Sequence, residues 1–195
     1  MAREGAMRSK GGSTGSKGRW ATAANALTVA RLVLVPLLGA AILDDRPLLA
    51  GALFALAVAT DFADGAVARR RNEATPLGGL LDHAVDATLC IVGLAAWAHR
   101  GEAPVVLAPL VATAFTQYVL DSRALAGRPL RASALGRWNG IAYYLLVAVP
   151  IYRDVLGIAW PGAGWVLAAG WLLAAATVVS MADRLAALAR GARRA

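Results

Sequence analysis

Four aspartates, Asp61, Asp64, Asp82 and Asp86, stand at the ends of long apolar runs in a chain of which only 16% is charged. A carboxylate placed in lipid costs about 2.5–3.5 kcal/mol on insertion scales, so four in one hairpin need a compensating partner. Asp61 and Asp64 are three residues apart and share a face of one helix; Asp82 and Asp86 are four apart and share a face of the next. The connection Arg70 to Leu77 is short enough to make these helices antiparallel neighbours, so all four acids can converge near one membrane surface. Hard oxygen donors without His or Cys companions select Mg²⁺ or Mn²⁺ over Zn²⁺. Two such ions on one carboxylate cluster suit phosphoryl chemistry. A salt-bridge network with Arg69 to Arg71 is the structural alternative, but four acids at helical spacing exceed what capping two helix ends needs. His83 lies one residue round the helix from Asp82 and is expected to face away. Gly65, Ala68, Gly78 and Gly79 lie within about a turn of the acids, where small residues let a helix or a flat ligand approach the backbone.

The elements that must position these acids are apolar helices. Of the 195 residues, 58% are apolar, and the mean hydropathy is +0.56. That balance excludes a soluble all-β domain, a disordered chain and a disulfide-stapled module. The one cysteine, Cys90, sits inside an apolar run as a small buried hydrophobe. Six runs are near the roughly 20 residues that cross a bilayer as a helix: 26–43, 48–68, 77–98, 104–120, 134–152 and 161–182. The expected fold is therefore an all-α membrane protein, a bundle of six transmembrane helices. With the N-terminus cytoplasmic, the cytoplasmic segments hold sixteen Lys and Arg, and the opposite loops hold only Arg46, Arg100 and Arg153. Arg31, inside the first run, completes the 20. This bias puts both termini in the cytoplasm. Residues 1–24 read as a disordered basic tail with its entry to the membrane, 25–184 as the helical domain, and 185–195 as a second basic tail. The net charge of +8 lies largely in the tails and cytoplasmic loops, without interleaved aromatics. The partner it implies is the anionic lipid bilayer, not nucleic acid.

The acids and their neighbours carry a resemblance. Asp61-Phe-Ala-Asp64-Gly65-Ala-Val-Ala68-Arg69, eight residues, Gly78, three residues, Asp82, three residues, Asp86 resembles the signature of the CDP-alcohol phosphatidyltransferase family, with all eight fixed positions present. Asn25-Ala-Leu-Thr28-Val-Ala-Arg31 is similar to the opening Asn-x-x-Thr-x-x-Arg of many members. The resemblance implies an enzyme of phospholipid biosynthesis in a bacterial inner membrane, its site facing the cytoplasm and the chain a homodimer. Asp61, Asp64, Asp82 and Asp86 would hold two ions, Mg²⁺ or Mn²⁺, on the pyrophosphate of CDP-diacylglycerol or a similar CDP-linked lipid. Asp86 would also be the general base on the acceptor hydroxyl, and CMP would leave. Gly65, Ala68, Arg69, Thr75 and Gly78 match positions that cradle CDP, with Asn25 and Thr28 near the cytidine.

The acceptor stays open at this stage. Members that use glycerol phosphate commonly read Asp-Pro-x-Ala-Asp-Lys across the last two acids, whereas this chain reads Asp82-His83-Ala84-Val85-Asp86-Ala87. Arg128, Arg131 and Arg137 could bind an anionic small alcohol such as a sugar or glycerol phosphate, or could serve only as cytoplasmic anchors. Two other classes use similar residues. An ion or proton-coupled transporter also carries intramembrane carboxylates, but places them near the midplane. A Mg²⁺-dependent prenyltransferase uses two separated Asp-rich motifs and more spans.

Overall fold

The computed structural model describes the backbone of residues 23–71, 76–121 and 134–192, and the side chains of 30–63, 78–121, 135–187, 189 and 190. The described residues form six helices and no strand: α1 (Ala23–Leu43), α2 (Pro47–Arg71), α3 (Pro76–His99), α4 (Leu107–Asp121), α5 (Ala134–Leu156) and α6 (Ala163–Ala192). Each overlaps one apolar run of the sequence. Pro47 and Pro76 open α2 and α3, where a missing N–H is no loss and the fixed φ favours the helix. α6 runs on past Arg184, the point at which the sequence reading ended the bundle.

The ends of α1, α3 and α5 share one device. After α3, Gly101 adopts φ 79°, its N–H bonds the Ala98 carbonyl at 3.0 Å, and the Glu102 N–H bonds the Trp97 carbonyl at 2.8 Å. This is a Schellman cap, which satisfies the last carbonyls of the helix. Asp45 (φ 57°) after α1 and Gly157 (φ 64°) after α5 repeat the pattern. Beside these caps, Arg153 of α5 donates from Nη1 and Nη2 to the two carboxylate oxygens of Glu102 at 2.8 and 3.1 Å. The bidentate pair ties α5 to the turn that follows α3.

α1 packs against α2 and α3, α2 also against α5, α3 also against α4 and α5, and α6 against α4 and α5. Among the described residues α2 and α3 are therefore not the packed antiparallel neighbours that their short connection suggested, because α1 serves both as the common partner. Leu38, Ile42, Leu89, Leu94, Trp97, Leu107, Val147 and Ile151 fill the centre. Close approach is built in at Gly39 of α1, where an added Cβ would lie 2.6 Å from Val92, and at Gly93 of α3, where it would lie 2.7 Å from Val147. Outward-facing Val33, Leu37, Leu48, Leu172 and Val179 give the exterior an apolar surface that suits lipid.

Among the described residues, two helical stretches are long and apolar enough to cross a membrane by length and composition: 78–99, with mean hydropathy 1.5, and 163–187, with 1.8. The sequence reading had six. Residues 30–43 of α1 and 47–63 of α2 are apolar but shorter, α4 has 15 residues, and α5 carries Arg137 and Asn139 near its start and Arg153 and Asp154 near its end.

Candidate active site

Three helices bring their charges to one place. α2 contributes Asp61 and α3 contributes Asp82 and Asp86; one carboxylate oxygen from each lies within 4.8 Å of the others. α1 contributes Arg31, whose side chain is 1% exposed although it is a guanidinium in an apolar run. Its Nη1 donates to Asp61 Oδ1 at 2.8 Å, Asp86 Oδ1 at 2.9 Å and Asp82 Oδ1 at 3.2 Å. The tight seat of Gly39 against Val92 holds α1 close enough to α3 for this reach.

The donor chemistry fits a hard divalent cation. All three ligating groups are carboxylates, and one guanidinium against three carboxylates leaves two negative charges to be balanced. The acids are only partly buried, with side chains 25–35% exposed, so an ion has access to them. Asp64, one turn beyond Asp61, lies on α2 where side chains fall outside the described residues, as do those of Gly65, Ala68 and Arg69. The side chains of Asn25 and Thr28 on α1 are likewise outside, together with Thr75, Arg128 and Arg131. Gly78 lies in the first turn of α3, one turn before Asp82.

Asp86 also faces the other way. It lines a cavity of about 740 Å³ between α3, α4, α5 and α6, sharing that wall with His83, Tyr118, Tyr144, Arg137 and Arg184. Arg137 is the one sequence-named acceptor candidate among the described residues, and it does line this cavity. Arg184 of α6 is one of the sixteen basic residues that the sequence reading assigned to the cytoplasmic segments. It sits over the Tyr118 ring, 4.7 Å from the centroid, with Asp121 Oδ2 3.7 Å away. Its periodic match with Thr177, Ser180 and Met181 on one face of α6 was the available signal.

His83, expected to face away from the acids, is not part of their cluster, but it does line the cavity with Asp86, because the two are three residues apart and share a face of α3. The alternative salt-bridge partners Arg69 to Arg71 have side chains outside the described residues. Among the described residues Arg31 of α1 pairs with three of the acids, and an arginine inside an apolar run was itself the sign of a buried partner.

Comparison with known proteins agrees with this geometry. The sequence model of the CDP-alcohol phosphatidyltransferase family matches residues 21–182. A probable phosphatidylglycerophosphate synthase of Mycobacterium tuberculosis is 30% identical over 162 residues, covering 77% of this chain and 73% of that protein. The CDP-diacylglycerol–glycerol-3-phosphate 3-phosphatidyltransferase of Cereibacter sphaeroides is 30% identical over 156 residues, 72% of this chain and 70% of its own length. That of Pseudomonas fluorescens is 37% identical over 75 residues, 36% of this chain and 37% of its own. With its family model matching from before α1 into α6 and its acids drawn together from α2 and α3, the chain belongs to the CDP-alcohol phosphatidyltransferases, enzymes that transfer a phosphoalcohol group from a CDP-linked donor to an acceptor hydroxyl.

Proposed function

We propose that this chain transfers the phosphatidyl group of CDP-diacylglycerol to glycerol 3-phosphate, with release of CMP. The observation that carries the reading is the double membership of Asp86: its carboxylate belongs to the acid cluster and also lines the cavity that Arg137 and Arg184 enter. A donor held at the cluster and an acceptor held in the cavity would meet at this one side chain. Two arginines suit a phosphate on the acceptor. The names of the M. tuberculosis and C. sphaeroides relatives point to glycerol phosphate.

In this mechanism Asp86 removes the proton from the acceptor hydroxyl. The oxygen attacks the β-phosphorus, the bond from that phosphorus to the bridging oxygen breaks, and CMP leaves with the electron pair. Asp61, Asp64, Asp82 and Asp86 would hold Mg²⁺ or Mn²⁺, which when bound would supply positive charge to the pyrophosphate and the leaving group. Arg31 keeps three of these carboxylates together from behind, and Arg69, with Gly65, Ala68, Thr75 and Gly78, cradles CDP. Asn25 and Thr28 lie by the cytidine.

The same reading has six spans in a bacterial inner membrane, both termini and the site cytoplasmic, basic tails outside a domain of 25–184, and a homodimeric assembly. The charge bias across the loops and the family's membrane setting support it. The acceptor is tested by supplying purified protein with CDP-diacylglycerol, Mn²⁺ and, separately, glycerol 3-phosphate, inositol 1-phosphate and glycerol. CMP should appear fastest with glycerol 3-phosphate, and charge-neutralised Arg137→Gln and Arg184→Gln should each raise its KM about tenfold or more. Equal turnover with unphosphorylated glycerol contradicts the reading.

A further inference from the structure

The structure puts the imidazole of His83 on the cavity wall beside Asp86. The ring is not loose. Its Nδ1 lies 2.9 Å from the Gly79 carbonyl one turn back, and its face is tilted against Tyr118 at 6.4 Å between centroids. A carbonyl oxygen only accepts, so Nδ1 carries the hydrogen, and Nε2 of the neutral ring is left as an acceptor. Nε2 has no hydrogen-bond partner among the described residues.

The rest of the cavity wall is differently equipped. Arg137 and Arg184 only donate, which suits phosphate. Asp86 is committed to the reacting hydroxyl. Deeper in, Thr177 donates to the Leu173 carbonyl at 2.7 Å and so accepts from Tyr143 at 2.7 Å, which leaves that pair mutually engaged. Tyr144 also lines the cavity, but its hydroxyl is hydrogen-bonded to Asp86. His83, on the same face of α3 as Asp86, offers an acceptor atom to a second hydroxyl next to the attacking one.

We infer that His83 is a specificity-determining residue: its Nε2 takes a hydrogen bond from the hydroxyl adjacent to the attacking one, so the site selects phosphorylated polyols with neighbouring hydroxyls over monohydroxyl phosphates. This rests on the proposal that the cavity holds the phosphorylated acceptor. The test is the ratio of kcat/KM for glycerol 3-phosphate to that for 3-hydroxypropyl phosphate, which lacks only the middle hydroxyl. It is measured by CMP release in wild type, His83→Ala and His83→Gln.

Wild type should prefer glycerol 3-phosphate by about five- to tenfold. His83→Ala should bring the ratio to about one while keeping turnover on 3-hydroxypropyl phosphate, and His83→Gln, whose amide oxygen can accept, should restore part of it. A merely structural defect lowers both rates together and leaves the ratio unchanged, and that result overturns the inference. So does a wild type that uses both acceptors equally, with the glycerol phosphate reading left standing. No CMP from either phosphate, against CMP from an unphosphorylated alcohol, overturns that reading and this one with it.

Discussion

Asp86 and Arg31 are the two side chains whose roles pull furthest apart from what charge alone suggests. Asp86→Asn keeps the shape and one ligand oxygen while removing the charge and the ability to accept a proton. If base catalysis is its role, kcat falls by about 10²–10⁴-fold while CDP-lipid binding changes little, because Asp61 and Asp82 still face the cluster. Near-normal turnover in this variant contradicts the assignment. Arg31→Met removes the cation from three carboxylates at once. Breaking a buried ion pair on one side costs about 3–5 kcal/mol, and the partial exposure of these acids puts the expected loss near the lower figure. Thermal unfolding in detergent with EDTA reads this directly, and Mn²⁺ should narrow the deficit by supplying the missing charge. A variant as stable as wild type in EDTA would show that Arg31 does not hold the acids. The acids themselves were legible in the sequence because spacing on a helix fixes which side chains share a face. Arg31 was not, since nothing in spacing says which of several cations in other helices will reach them.

At the scale of elements, the apolar runs located all six helices, since a long hydrophobic stretch bounded by Pro, Gly and charge admits little else in lipid. Helix neighbours were less legible. The short connection suggested that α2 and α3 are antiparallel neighbours, but among the described residues each packs against α1 instead. The cavity between α3, α4, α5 and α6 likewise depends on how non-consecutive helices pack, which local pattern does not encode. The α3–α5 approach that closes one side of the site rests on Gly93 facing Val147, a β-branched residue with no exposed surface. Gly93→Ala should therefore lower stability by about 1–3 kcal/mol by overpacking, measured as a fall in the thermal midpoint. Adding Val147→Ala should recover part of it. Gly140→Ala on α5 meets nothing within 4 Å and should be neutral or stabilising by helix propensity. A destabilising Gly140→Ala with a harmless Gly93→Ala would reverse the packing described.

For the whole molecule, the arrangement is a division of labour between two ends of a helical bundle. One end is closed by three Schellman caps and the Arg153–Glu102 pair; the other carries the acids and the mouth of the cavity. Activity should require Mg²⁺ or Mn²⁺, disappear in EDTA and recover poorly with Zn²⁺, because the ligand set is all oxygen. The central claim is that the chain breaks the pyrophosphate of a CDP-linked lipid between its two phosphorus atoms and passes the lipid-side phosphate to an alcohol. It is tested most directly with CDP-diacylglycerol labelled with ³²P at the β-phosphate, incubated with purified protein, Mn²⁺ and glycerol 3-phosphate. The account predicts unlabelled CMP and all transferred label in the lipid product, with neither formed by Asp86→Asn at a comparable rate. Label released with the nucleotide, or no CMP from the wild-type protein under these conditions, would contradict it.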